Sequence, residues 1–343
     1  MLKNGFELVK LFSPEHGINT AGADGAFQKN IVDELTGLPV ISLYGDQLAP
    51  SEKDLNDIDI VLFDIPDVGC RFYTYLWTMT YVMESCARYG KPFMLLDRPN
   101  PISGNLSLAE GPMLDEEHCS SFIGRWSIPI RHSCTLGELA RYFVATKIKS
   151  LQLVVIPASN WQRNKMADEA GWKFIPTSPA IQDLETVLLY PGMGLLEGIN
   201  VNEGRGTDKP FKICGAPWIN GARLKEAFLK KDCMGISCQS ISYKPASGLY
   251  ANQDCNGLEL FVKDMNSFRP VAMGLLLLKT IVELNPEVVE ERLYKTRANL
   301  QGRQHLDRLI GVENVFQELE KGLRAKIDTK DLWGEVIRPF LLY

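Results

Sequence analysis

No run of apolar residues approaches the roughly 20 needed to cross a bilayer. The longest, Ala272 to Leu278 and Val187 to Tyr190, are of core length. Nor is there a basic stripe. The 37 lysines and arginines are interspersed with 42 acidic residues for a net charge of −5, so no surface is suited to a phosphate backbone and a nucleic-acid partner is not expected. Lys225, Lys230 and Lys231 read as a solvated helix face. Histidine is scarce: His16, His118, His132 and His305 fall singly, without the H-x-x-x-H or H-E-x-x-H spacing of a metal site. The eight cysteines show no C-x-x-C pair and read mostly as small buried residues, which leans toward a reducing compartment, though their even number leaves bridges open. G-x-S-x-G is missing, which removes the usual serine-hydrolase elbow. Gly192, Gly194 and Gly198 miss the dinucleotide-binding spacing, so no nucleotide cofactor is expected. No signal peptide opens the chain, which as it stands reads as cytoplasmic.

What is present is enough apolar material, 45% of 343 residues, for two cored domains. The first half alternates strand-like and helix-like segments, predicting α/β architecture with a parallel sheet. Strands are expected at Phe6 to Phe12, Pro39 to Tyr44, Ile58 to Asp64, Phe93 to Asp97 and Leu151 to Ile156. Helices are expected from Tyr73 to Tyr89 and from Thr135 to Val144, the latter opened by the Thr135/Glu138 capping-box pattern. After Trp161 to Gly171, a polar helical or linking stretch, short elements and a helical tail predict a smaller α+β domain that closes on a strand at Ile337 to Tyr343. The division is placed at 1–165 and 166–343.

Ionisable residues stand just past the carboxyl ends of three strands: Glu15 and His16, then Asp64 and Asp67, then Asp97 and Arg98. In an open parallel sheet these ends border one crevice, where ligands bind. Alone, Glu15 and His16 would read as a loop cap. Beside them stands a second dense segment, Glu197 to Pro210, in which glycines separate Glu197, Asn200, Glu203 and Arg205 and let backbone and side chains crowd a ligand. Asp67 and Arg71 precede Phe72, Tyr73 and Tyr75, aromatic faces that suit a sugar ring or ordinary packing. Asp97 could orient His16 or His132, or only pair with Arg98. Carboxylates dominate this inventory, and carboxylate pairs are the usual equipment of glycoside hydrolysis.

Six ordered motifs carry a resemblance across essentially the whole chain: Pro14-Glu15-His16-Gly17; Asp67-Val68-Gly69-x-Arg71-Phe72-Tyr73-Thr74-Tyr75; Leu96-Asp97-Arg98-Pro99-Asn100-Pro101; Glu110-Gly111-Pro112; Pro129-Ile130-x-His132; and Glu203-Gly204-Arg205-Gly206-Thr207-x-x-Pro210-Phe211. In this order they resemble the exo-β-N-acetylmuramidase family. The resemblance implies a Rossmann-like domain and a smaller C-terminal domain flanking the active site. It also implies release of terminal N-acetylmuramic acid from bacterial peptidoglycan fragments, without metal or nucleotide. The family's proposed catalytic glutamate falls on Glu15, here read as general acid oriented by His16 or Asp97. Its partner is expected to be Glu203, with Glu197 or Asp67 behind it. Arg71, Arg98 and Arg205 are the expected partners of the sugar's lactyl carboxylate, with Tyr73, His132 and Asn200 around the ring. A noncatalytic sugar-binding protein and a nucleotide-dependent enzyme are the alternatives. Three departures stand out: Ser133 follows His132 where glycine is usual, no basic residue follows Gly17, and the βα unit that normally precedes this region is missing. The N-terminus is therefore expected to be incomplete, and export, frequent in the family, stays open.

Overall fold

The computed structural model describes residues 2–343 apart from 168, 170, 232 and 321–329. Its first sheet joins β1 (Leu11–Ser13), β2 (Ile31–Val32) and β3 (Pro39–Ser42), with β1 parallel and β2 antiparallel to the central β3. After α1 (Glu52–Leu55) come β4 (Val61–Phe63), α2 (Thr74–Arg88), β5 (Phe93–Leu96), α3 (Leu136–Thr146) and β6 (Leu153–Ile156). The three strands form a parallel sheet in the order β4-β5-β6. The second half contains α4 (Leu184–Met193), β7 (Ile213–Ala216), α5 (Gly221–Leu229), β8 (Ile236–Tyr243) and β9 (Cys255–Val262). It continues with α6 (Pro270–Leu284), α7 (His305–Ile310), α8 (Val315–Glu320) and α9 (Lys330–Ile337). Its sheet is antiparallel, in the order β7-β9-β8. The architecture is α/β with a parallel sheet followed by an α+β region, as expected from the alternation of segments.

Local chemistry explains most elements. Thr135 accepts a hydrogen bond from the Glu138 amide at 3.2 Å while the Glu138 carboxylate accepts from the Thr135 amide at 3.0 Å, the reciprocal cap anticipated for α3. Around the parallel sheet, Trp77 and Met83 of α2, Phe93 and Leu95 of β5 and Phe143 of α3 form one buried cluster. A larger cluster joins α4, α6 and the antiparallel sheet, and takes in Val68, Phe72 and Tyr73 from the loop before α2. Seven of the eight cysteines are buried and all eight are free thiols.

Two expected strands differ. Of the 6–12 segment only Leu11 and Phe12 pair with β3, in a strand that runs on to Ser13. Residues 6–10 instead form one wall of a groove whose other wall is 57–65, so β1 and β4 lie in separate sheets. Lys10 spans this groove's edge, donating to the Asp54 carbonyl at 3.0 Å and the Asp57 carboxylate at 2.6 Å. The tail is also not a strand: α9 runs through Ile337, and a 3-10 turn covers Arg338–Phe340. Pro339 has no amide proton for a ladder. The tail returns to the first core, where Trp333 and Ile337 are fully buried and Arg141 donates to the carbonyls of Phe340 and Leu341.

α4 and α6 cross at Gly192 and Gly274, where a Cβ on Gly274 would stand 2.3 Å from the Gly192 carbonyl oxygen. Gly274→Ala is expected to destabilise the fold by about 1–3 kcal/mol through overpacking. Gly334→Ala, where a Cβ meets open space within α9, should stabilise by about 0.5–1 kcal/mol through helix propensity. Denaturant unfolding of both variants tests the pair; a neutral Gly274→Ala would contradict the crossing.

Candidate active site

The site forms where the loop after β1 meets the start of α2 and two segments of the second half. Past Ser13 the chain turns through Pro14, and His16 adopts a left-handed φ of 69°. That conformation is uncommon for a residue with a side chain and tends to mark functional loops. It is held by the Gly22 amide donating to the His16 carbonyl at 2.9 Å and by His16 Nδ1 lying 2.8 Å from the Gly22 carbonyl oxygen. Burial lowers the His16 pKa, which favours neutral imidazole, the form that donates from Nδ1 to that carbonyl.

Glu15 points into the cleft, 4% exposed. One carboxylate oxygen accepts from the Gly25 amide at 2.7 Å, and the other from the hydroxyl of Thr74, the first residue of α2, at 2.7 Å. Gly25 has φ 65°, and a Cβ there would press on Thr296 at 3.0 Å, so both its backbone and its lack of a side chain serve this contact. Burial, then the negative charge of Asp24, push the Glu15 pKa up to about 7 against the opposing hydrogen bonds.

Asp24 is the neighbour that sequence reasoning missed. Carboxylate oxygens of Glu15 and Asp24 and a ring nitrogen of His16 lie within 4.8 Å of one another. Burial opposes ionisation of Asp24, but the Arg205 guanidinium 3.1 Å away and the Tyr294 hydroxyl, which donates to Asp24 Oδ2, hold its pKa below the usual range. The two pKa values are thereby driven apart, Glu15 up and Asp24 down, the arrangement that separates acid from base in active sites. The trio has a donor set that could hold a cation. Its charge is already met by Arg205, however, and its Glu15 oxygens and His16 Nδ1 are engaged by protein partners.

Arg205 anchors the opposite wall. Besides Asp24 it meets Glu197 at 2.9 Å and Glu203 at 3.3 Å, and its guanidinium lies 4.9 Å above the Phe211 ring. Glu197 also faces His305 Nε2 at 3.6 Å, and Tyr294 stacks on the His305 ring at 4.4 Å. The loop carrying Asp24 is clamped by the second half: the Arg297 amide donates to the Gly25 carbonyl at 3.1 Å, and Arg297 Nε to the Gly45 carbonyl at 3.0 Å.

Of the residues expected from sequence, Glu15, His16, Tyr73, Glu197 and Arg205 line this one pocket. Glu203, expected as the second carboxylate, lies behind Arg205, 1% exposed and shared with Arg292 at 3.3 Å; burial raises its pKa. Others stand elsewhere because the fold gives them other partners. Asp67 accepts from the Gly69 amide at 2.9 Å and lies 3.3 Å from His132 Nε2, the pair sealed in the interior. Asp97 does not orient Glu15 or either histidine: it accepts from the Gly137 amide and the Tyr343 hydroxyl, both at 2.8 Å. Arg98 pairs with Asp64 at 2.6 Å on the surface. Arg71 is fully buried and donates to the carbonyls of Pro112, Ile128 and Leu309 at 2.8–2.9 Å, so no substrate carboxylate reaches it. Asn200 is used by the backbone of Val288 and Glu290. Besides Asp24, the pocket contains Tyr44, Thr74, Tyr294, His305 and Arg308, which sequence reasoning did not assign to it. The Asp24-Gly25 pair carries only a turn signal, and Thr74 alone lay inside a motif already singled out.

The chain is 39% identical over 328 residues, 94% of its length and 78% of the relative's, to the peptidoglycan beta-N-acetylmuramidase NamZ of Bacillus subtilis strain 168. Two crystal structures of DUF1343 family proteins from Bacteroides fragilis share the fold. One is 27% identical with a TM-score of 0.85, covering 98% of this chain and 86% of that one; the other is 29% identical with a TM-score of 0.70, covering 100% and 88%. Residues 1–185 match the N-terminal domain of the exo-beta-N-acetylmuramidase NamZ and residues 188–343 its C-terminal domain. With both domains matched over nearly every residue, the chain belongs to the exo-beta-N-acetylmuramidase NamZ family.

Proposed function

We propose that this protein is a glycoside hydrolase that removes terminal β-linked N-acetylmuramic acid from peptidoglycan fragments. Family membership supports the reaction, and the Glu15–Asp24 pair carries the assignment of its chemistry. Glu15, neutral at the pocket wall, donates its proton to the departing glycosidic oxygen. Asp24, ionised and within 4.8 Å, faces the positive charge that develops on the sugar. Retaining glycosidases hold their carboxyls roughly 5–5.5 Å apart, whereas inverting ones leave roughly 6.5–9.5 Å for a water. With an oxygen of each carboxyl within 4.8 Å, the pair is nearer the retaining spacing, and we read Asp24 as either attacking the anomeric carbon or steadying the substrate's own acetamido group as it attacks. Glu197 and Glu203 serve this pair through Arg205, whose orientation they fix.

The roles separate by leaving group. Glu15→Gln should lose about 10²–10⁴-fold in kcat on a muramic acid-glucosamine disaccharide but far less on a 4-nitrophenyl muramide, whose leaving group needs no proton. Equal losses on both substrates would remove Glu15 from the acid role.

A bell-shaped pH profile of kcat/KM is expected, falling on the alkaline side as Glu15 ionises at about 7 and on the acid side as Asp24 takes up a proton. Asp24→Asn removes a charge that raises the Glu15 pKa, so the alkaline limb of its residual activity on the muramic acid-glucosamine disaccharide, whose leaving group needs the Glu15 proton, should move to lower pH. An unmoved limb would show that the two groups do not sense each other.

Stability is expected to respond in parallel. Between the ordinary 4.5 and about 7 the folded chain keeps a proton that the unfolded chain releases, so Glu15 lowers stability as pH rises through that window. Above pH 7, Glu15→Gln should therefore melt at a higher temperature than the parent; a lower Tm would mean that the carboxylate is not held at a cost.

A further inference from the structure

The pocket's two guanidinium groups are not equivalent. Arg205 meets three carboxylates, those of Asp24, Glu197 and Glu203, so a further anion at that pole would be repelled. Arg308 also lines the pocket and is half-buried. Among the described residues its side chain has no ion-pair, hydrogen-bond or ring partner. Only its backbone is engaged, the amide donating to the Gln304 carbonyl at 3.1 Å.

The helix that carries Arg308 is fixed by its other members. In α7, His305 faces Glu197, Leu306 and Leu309 are in the core, and the Asp307 carboxylate accepts from the amides of Asn314 and Val315 at 3.0 and 2.9 Å. The Leu309 carbonyl accepts from buried Arg71 at 2.9 Å, and Gly311 closes the helix with φ 83°. Its neighbours on the helix are held, so Arg308 meets the cavity from a rigid mount. Ser121 and Asn299, which also line the cavity, are neutral. The cavity lining thus carries the carboxylates of Glu15, Asp24 and Glu197, the occupied guanidinium of Arg205, and the unpartnered Arg308.

We propose that Arg308 is the specificity-determining residue that binds the substrate's lactyl carboxylate. This rests on the muramic acid reading above and deepens it. Muramic acid differs from glucosamine by a lactyl ether ending in a carboxylate, which loses its water on entering a half-buried site and needs a charged donor there. A guanidinium answers a carboxylate with two parallel hydrogen bonds, a geometry that lysine cannot reproduce. Anchored there, the carboxylate keeps clear of the acidic pole and leaves the anomeric end of the ring for Glu15 and Asp24. Selection works in both directions: a sugar without the carboxylate leaves Arg308 unanswered, and one bound backwards brings its charge against three carboxylates.

The test is a thermodynamic cycle on binding rather than turnover. N-acetylmuramic acid and its methyl ester, which keeps the lactyl group without the charge, are titrated calorimetrically into the parent, Arg308→Ala and Arg308→Lys. The parent should prefer the acid by roughly 10- to 100-fold, the range of a charge-assisted hydrogen bond. Arg308→Ala should bind acid and ester alike, and Arg308→Lys should keep an intermediate preference. A parent without preference for the acid, or an alanine variant that keeps the parent's ratio, overturns the proposal. Should the alanine variant bind neither ligand, the lysine variant decides, since a parent-like ratio there rejects the bidentate contact. A parent that selects the acid through Arg308 yet hydrolyses no muramide leaves this subsite standing and sinks the catalytic reading instead.

Discussion

The site depends on one ionic arrangement, the Arg205 guanidinium enclosed by Asp24, Glu197 and Glu203. Crowding four charged groups together, with Glu197 and Glu203 buried, is costly in desolvation and persists only when each is met by opposite charge and hydrogen bonds. Arg205 alone cannot balance three carboxylates. Arg292 shares Glu203, the Tyr294 hydroxyl donates to Asp24, and His305 lies beside Glu197. The consequence reaches the chemistry. Arg205 helps keep Asp24 ionised, and that charge adds to burial in raising the Glu15 pKa; in the proposed mechanism the acid and its anionic partner are thus sorted by a residue that need not touch the scissile bond.

That arrangement also ties the halves of the chain together. Asp24 belongs to the first half, Glu197, Glu203 and Arg205 to the second, and Arg297 reaches both the Asp24 loop at Gly25 and the turn past β3 at Gly45. Arg71 makes a deeper join. A buried guanidinium without a carboxylate is normally a liability, but its bonds to the Pro112, Ile128 and Leu309 carbonyls use its fork to hold α7 against the first half. Burial lowers its pKa to about 10, still protonated at neutral pH. The wall that carries Arg308 is therefore positioned by an arginine whose motif context had suggested direct contact with substrate.

Motif density does not tell a pocket residue from a buried structural one. Asp67, Asp97, Arg71 and His132 all lie in the segments that mark the family, and all are buried and hydrogen-bonded away from the pocket. A strand end followed by an ionisable residue can lead that residue into the crevice, as for Glu15, or back onto the next helix, as for Asp97 at the Gly137 amide. The two outcomes look alike in one dimension because both satisfy a charged group at the edge of a sheet.

The sequence by itself determined the features that arise from nearby residues. The α/β alternation, the capped α3, the buried thiols and the emergence of Glu15 from a broken strand end all follow from periodicity, breakers and caps acting over a few residues. Tertiary structure decided what depends on charges that meet across the chain. Asp24 stands in an unremarkable turn, and nothing nearby reveals that Arg205, far along the chain, will hold it ionised beside Glu15. Arg308 is likewise one arginine on a short helix until the fold occupies Arg205 with carboxylates and leaves Arg308 facing the cavity. The strand ends and the tail were settled in the same way: a strand exists only where a neighbour offers a matching edge, and Pro339 offers none.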